Sequence, residues 1–307
     1  MTRIAVVGAN GMLGRDLVAA LRLPSVAQGP GRDQVAQGPG ADRSPSGREV
    51  VPLTRADFDV TDGEAARAAL AGFDVVANCT AWNRVDDAET MEAEAYAVNA
   101  EGPANLAAAA RATGARLVHV STDYVFDGTA TEPIPEDAPR NPVSAYGRSK
   151  AAGEERALAE HPGGTAIVRT AWLYGEHGPS FPRTMLRLAA ERDTVSVVTD
   201  QVGQPTWTAD LARQLVRLID AGVPAGIYHG TNAGRTSWFG FAREVFRLAG
   251  LDPQRVQPTD SAAFVRPAPR PAFSVLGHDA WTRIGLEPMP SWEDAIGRAM
   301  ALGILAP

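Results

Sequence analysis

Five short apolar runs rich in β-branched residues, RIAVVG, EVVPL, DVVANC, RLVHVS and TAIVRT, lie within the first 170 residues. They alternate with alanine-rich stretches such as GPANLAAAARATG. Strands this continuously apolar must be covered on both faces, and helices between them supply the cover. The alternation therefore predicts an α/β chain built on a parallel, doubly wound sheet. With 307 residues and 45% apolar content there is material for a substantial core. After residue 172 the rhythm loosens. Proline and aromatic residues increase, and SWFGFAREVFRLAG sets Trp238, Phe241, Val245 and Leu248 at helical spacing behind an N-cap at Ser237. The expected division is residues 1–172 as one domain and residues 173–307 as a smaller α+β substrate domain, some of whose segments return to the first sheet. Residues 24–49 contain VAQGPG twice and are crowded with Gly, Pro and Ser. They are expected to form a flexible insert at the sheet edge remote from any ligand.

Composition narrows the partners. A net charge of -7 offers no footprint for nucleic acid or anionic membrane. Cys79 is the only cysteine, so no intrachain disulfide forms, and the five histidines lack the paired spacings of a zinc site. No run of eighteen apolar residues occurs, and residues 4–7 are too short for a signal-peptide core. A cytoplasmic protein without metal is the expectation, with oligomeric state open, a homodimer included.

VVGANGMLGRDL places Gly8, Gly11 and Gly14 directly after a strand and directly before a helical pattern. Such glycines allow a tight turn, admit a pyrophosphate against bare backbone and bring helix and sheet together, while the helix N-terminus offers N–H groups to the anion. A dinucleotide in a Rossmann-like fold is the natural ligand, with Asn10, Met12 and Leu13 completing the loop. The second strand ends VVPLTRADFDV. Thr54 and Arg55 occupy the tip, where an acidic residue would hold ribose hydroxyls and an arginine tolerates a 2′-phosphate. The expected cofactor is NADPH, with NADH as the alternative and a merely solvated Arg55 as the plain reading.

Downstream, HVSTDYVFDG ends a strand with Ser121, Thr122 and Asp123 at its carboxyl end, and SAYGRSKAAGE starts a helix with Tyr146 and Lys150 one turn apart. By spacing alone the pair is equally a helix surface feature. Joined to the glycine loop and Thr122, it becomes a proton-transfer site. A ketone accepts hydride only if the charge appearing on its oxygen is quenched, and Tyr146 is the expected donor. Moving a phenol from about 10 to about 7 requires roughly 4 kcal/mol, and Lys150 is expected to supply it. Thr122 can hold the carbonyl in line.

These motifs, with NCTAWNRVDDAE, VNAEGPANL, RTAWLYG, DQVGQPT and GIYHGTNAG, resemble the extended short-chain dehydrogenase/reductases, and within them the dTDP-4-dehydrorhamnose reductases and related deoxysugar ketoreductases. The likeness covers almost the whole chain outside the insert. It implies Thr122, Tyr146 and Lys150 as the catalytic trio and Ala81, Trp82 and Asn83 as a stretch beside the cofactor. It further implies Asp59 and Val60 near the adenine, Asp123 and Trp172 at the sugar nucleotide, and Asn99 as a residue that orders the site. The implied reaction is NAD(P)H-dependent reduction of the 4-keto group of a dTDP-4-keto-6-deoxy sugar in deoxysugar biosynthesis. Trp82, Asn83 and Arg84 depart from the family's smaller residues and thicken one wall. An epimerase or dehydratase of the same scaffold is the runner-up, although family dehydratases follow the threonine with Asp-Glu and this chain has Asp123 and Tyr124. A non-catalytic dinucleotide-binding subunit is the alternative of another class. Turn capping by Asp123 and core packing by Trp172 remain the plain readings of those two. Arg266 and Arg270, in VRPAPRP, either clamp a diphosphate or decorate a linker.

Overall fold

The computed structural model describes residues 1–24, 47–222 and 224–305. In chain order the elements of the first half are β1 (Thr2–Val7), α1 (Met12–Arg22), β2 (Arg48–Leu53), α2 (Gly63–Ala69), β3 (Val75–Asn78), α3 (Glu92–Tyr96), α4 (Gly102–Thr113), β4 (Arg116–Thr122), α5 (Ala145–Glu160) and β5 (Thr165–Thr170). There follow β6 (Leu173–Tyr174), α6 (Phe181–Glu191), β7 (Val195–Val198), β8 (Val202–Gly203), β9 (Thr206–Trp207), α7 (Thr208–Asp220) and β10 (Gly226–His229). The chain closes with β11 (Thr236–Ser237), α8 (Trp238–Leu248), β12 (Val256–Thr259), α9 (Asp279–Arg283) and α10 (Trp292–Ala301).

Six strands form one parallel sheet in the order β10-β5-β4-β3-β1-β2. The five apolar runs supply five of them, and GIYH supplies the sixth from the second half of the chain. Alternate residues of β1 show why both faces need helices. Ile4 and Val6 join Leu17, Leu21, Leu211, Leu215 and Trp281 on one side, against α1, α7 and α9. Ala5 and Val7 join Val76, Leu106, Leu117 and Ile167 on the other, against α2, α4 and α5. A third core gathers Tyr174, Trp207, Phe241, Phe246, Trp292 and Ile296 from α6, α8, α10 and the short strands. Ser237 caps α8 by accepting from Gly240 N, with Phe241 and Val245 buried as the aromatic stripe requires.

The expected insert lies mostly outside the described residues. Its last two positions need correcting: β2 begins at Arg48, so Arg48 and Glu49 belong to the sheet, paired with Thr2 and Arg3. Among the described residues no helix is long and apolar enough to cross a membrane.

The strand order reverses between β1 and β3, so a crevice opens beyond their carboxyl ends, where open α/β sheets take ligands.

Candidate active site

The glycine loop fills one side of this crevice. Gly8 has φ +83°, and a Cβ there would lie 3.0 Å from the Cys79 and Thr80 backbone at the end of β3. A Cβ on Gly14 would lie 2.3 Å from the Gly8 carbonyl, so only glycine lets α1 start this close to β1. Gly11 is the N-cap of α1 and contributes no side-chain cap, which leaves the first N–H groups of an 11-residue helix for a ligand. The bare backbone fits a pyrophosphate. Asn10 is exposed and its carbonyl accepts from Arg15 Nε at 3.2 Å; Met12 is half-buried. Leu13 turns inward to the core beneath the loop.

Gly8 N and Ala9 N both donate to the Leu53 carbonyl, which docks the tip of β2 beside the loop. Beyond that tip the carboxylates close their own turns. Asp57 accepts from Thr54 N and Oγ1 at 2.7 and 2.8 Å, and Asp59 accepts from Thr61 N and Oγ1 at 3.0 and 2.8 Å. Those bonds hold both carboxyls below the usual range. Arg55 stands in solvent, 89% exposed, leaning on Asp59 at 3.2 Å. Val60 is buried under Gly102.

Opposite, the loop after β3 is held by one side chain. Asn99 accepts from Trp82 N at 2.8 Å, and its Nδ2 donates to the Trp82 carbonyl and to Ser149 Oγ, both at 3.0 Å. It sits in a single π-helical turn, residues 97–101, between α3 and α4, and such insertions recur at functional sites because they re-aim a side chain. Residues 81–83 are thereby fixed with Ala81 and Asn83 exposed, while the Arg84 guanidinium lies 4.2 Å over the Trp82 ring.

Thr122 ends β4. Its Oγ1 donates to Asp123 Oδ1 at 3.0 Å and accepts from Tyr124 N at 3.2 Å. Ser144 caps α5 by accepting from Gly147 N at 3.1 Å, which sets Tyr146 in the first turn, buried and edge-on to Tyr124 at 5.5 Å. Burial pushes the Tyr146 phenol up to about 12, a Thr122 hydrogen bond drawing it down and the Asp123 charge adding to the rise. Burial likewise raises Asp123 to about 6, against hydrogen bonds from Ser274 and Thr122. Trp172 follows β5 in a left-handed conformation, φ 46°, and stacks on Trp238 at 3.6 Å and 9°. A tryptophan held there stores strain that the stack over-determines.

With this geometry in view, comparison with known proteins is decisive: the family described as RmlD substrate binding domain matches residues 1–303. The chain belongs to that family. It is 49% identical over 300 residues to a dTDP-4-dehydrorhamnose reductase of Streptomyces griseus, covering 96% of this chain and 91% of that one. It is 46% identical over 302 residues to a dTDP-4-keto-6-deoxy-D-glucose reductase of Streptomyces niveus, covering 98% and 97%. Among solved structures, the dTDP-4-dehydrorhamnose reductase of Bacillus anthracis in complex with NADP superposes with a TM-score of 0.87, at 34% identity, covering 98% of this chain and all of that one.

Two expectations for this RmlD-family chain change. Lys150 is fully buried and its Nζ donates to the Val120 carbonyl at 2.8 Å, which holds it against β4 in the folded chain. The expected acidification of Tyr146 is not seen in the folded chain, where burial holds the phenol protonated. Arg266 and Arg270 neither decorate a linker nor stand free for a diphosphate. Arg270 Nη1 meets Asp86 at 2.9 Å and Arg266 lies 3.9 Å from the same carboxylate, tying the segment after β12 to the loop after β3.

Of the further polar residues in the site, the sequence singled out Ser121 alone. Asn78 and His119 face each other across β3 and β4 beneath Lys150. Ser121, Glu154 and Arg169 form a fully buried cluster, Ser121 Oγ donating to Glu154 Oε1 at 2.6 Å and Arg169 Nη2 to Glu154 Oε2 at 2.8 Å. Their signal was available: each is a polar interruption in an otherwise apolar strand or helix face. Another signal is compositional, because Lys150 is the only lysine in 307 residues.

Proposed function

We propose that this chain is an NADPH-dependent reductase of the 4-keto group of a dTDP-4-dehydro-6-deoxyhexose, the reaction named for its relatives. The observation that carries the reading is the placement of Thr122 and the Tyr146 phenol together at the carboxyl end of β4, two strands from the glycine loop of β1. When bound, the dihydronicotinamide supplies the hydride. The chain's part is to receive the charge that then appears on the sugar oxygen. Tyr146, protonated throughout the neutral range, donates its O–H to that oxygen, and Thr122 shares it and fixes its direction. The phenolate left on Tyr146 is stabilised by the Lys150 ammonium one helical turn away, a role that begins only once the proton has moved. Gly8, Gly11 and Gly14 would hold the pyrophosphate, and residues 81–83, ordered by Asn99, would line the nicotinamide half. Arg55, with Asp57 and Asp59 engaged in their own turns, supports a 2′-phosphate. Asp123, Trp172 and the domain of residues 173–307, which the third core holds together, are assigned to the sugar nucleotide.

The test is to mix the protein with NADPH and dTDP-4-keto-6-deoxyglucose, with and without a 3,5-epimerase, and to follow nicotinamide absorbance and the product by NMR. Reduction at C4 with either keto sugar supports the reading. No oxidation of NADPH with either one overturns it.

A further inference from the structure

Lys150 is the chain's only lysine, and it is enclosed. Glu154 lies one turn further along α5, but its carboxylate is taken by Arg169, Ser121 and Arg140. Tyr146 lies one turn back. Cys79 approaches from the end of β3, with its thiol pushed up to about 12 by burial and hence neutral. The ion pairs Arg148–Glu92 and Arg156–Glu101 occupy the outer, solvent-facing side of the same helix. From β4 come the Val120 carbonyl and the His119 ring, whose Nε2 faces Lys150 Nζ at 3.5 Å.

The state of that ring follows from its other partner. Asn78 Oδ1 accepts from Thr80 N at 2.9 Å and from Thr80 Oγ1 at 2.6 Å, so the amide's orientation is fixed and its Nδ2 points at His119 Nδ1, 3.0 Å away. An amide N–H₂ only donates, so Nδ1 must accept, and a neutral imidazole then carries its proton on Nε2. His119 is neutral: burial and the nearby lysine charge both hold its pKa well below the ordinary value. An N–H is therefore aimed at the lysine nitrogen.

We propose that Asn78 and His119 act as positioning residues that lock this tautomer and thereby disfavour the ammonium form of Lys150, setting the pH at which the lysine gives up its proton. A facing N–H dipole repels an ammonium and offers a hydrogen bond to a neutral amine. Burial is the larger cause: it lowers Lys150 to about 8 against the Glu154 charge one turn on, and the facing dipole acts in the same direction as burial. The consequence for turnover rests on the reductase reading: with Lys150 needed as a cation, activity falls on the alkaline side as the lysine deprotonates.

A single lysine makes the test direct. Protein grown with [ε-13C]lysine gives one side-chain resonance, which is titrated without substrate, while 15N-histidine correlation spectra, assigned by loss of a signal in His119→Phe, report the protonated ring nitrogen. The expected results are Nε2–H on His119 and a lysine midpoint near 8. A proton on Nδ1, or a lysine midpoint at the ordinary value of about 10.4, overturns the proposal. Asn78→Asp keeps the acceptor for Thr80 but accepts from Nδ1–H, turning the Nε2 lone pair toward Lys150; because the new carboxylate also favours the ammonium, the variant supports the lock only if the histidine spectrum shows the proton moved to Nδ1. The midpoint should then rise by about one unit, tenfold in the acid constant, and the alkaline limb of kcat should move with it. An unmoved lysine midpoint in the folded variant also counts against the lock. Because the titration needs no turnover, a failure of the lock and a failure of the reductase reading give different results.

Discussion

Asn99 carries more of the site than its size suggests, because one amide joins the backbone of Trp82 in both directions and reaches Ser149 on α5. Asn99→Ala leaves a part-buried N–H and carbonyl of Trp82 without their partner, at up to about 1 kcal/mol each, and the loop they hold is released. NADPH affinity and kcat should both fall by about tenfold or more, read by fluorescence titration and steady-state rates, with the overall fold retained by circular dichroism. Arg55 is a different kind of residue: exposed, lightly paired and dispensable to the fold. Arg55→Ala should therefore leave stability unchanged and lower the NADPH-over-NADH preference in kcat/KM by about tenfold, the value of one solvent-facing charge-assisted contact. NADH winning already in the wild type would remove the 2′-phosphate assignment.

At the scale of elements, the join between β1 and α1 is the most demanding point of the fold. A methyl at position 14 meets the Gly8 carbonyl at 2.3 Å and the Ala9 Cα at 2.9 Å, both main chain, so Gly14→Ala must push the helix off the strand. Loss of NADPH binding by more than about tenfold is expected by isothermal titration, and wild-type affinity would show that the loop does not cradle the cofactor. The strands of this half were readable because an apolar β-branched run has few alternatives when helices flank it. The glycine loop was readable because its residues are dictated by sterics. The catalytic helix was readable from Ser144, Tyr146 and Lys150 together. What stayed hidden depended on distance in the chain. Nothing near Asp86 announces that Arg270 will reach it, and a histidine within RLVHVS does not reveal which strand neighbour or lysine it will face. The raised phenol of Tyr146 stayed hidden for the same reason: charge and spacing are local, whereas desolvation belongs to the assembled core. The sixth strand escaped because GIYH is short and pairs with β5 from some sixty residues away.

For the molecule as a whole, two buried histidines, His119 and His229, and the half-buried His278 set its response to acid. His119 is held well below its ordinary pKa, His229 falls to about 3 and His278 to about 4, each mainly by burial. Below pH 6.5 the unfolded chain protonates all three while the folded chain does not, so the unfolded state binds more protons and stability is lost as pH falls. Asp123, raised to about 6, works the other way, since the folded state takes up its proton first, and Asp16, also raised by burial, adds to that opposition. The net is roughly 2 kcal/mol lost per pH unit near pH 5, a large share of a typical domain's stability. Urea midpoints should fall slightly from pH 8 to 7, where the unfolded chain already holds more protons on Lys150 and the histidines than the folded chain does, and drop clearly by pH 5; a midpoint that holds at pH 5 would mean these rings are charged inside the fold. The measurement closest to the chemistry compares Tyr146→Phe with wild type, using NADPH and the dTDP-4-keto-6-deoxy sugar. Removing the one proton donor should lower kcat by about 10²–10⁴ while the dissociation constant for NADPH stays put. Wild-type turnover in that variant would contradict Tyr146 as the donor and the reduction built on it.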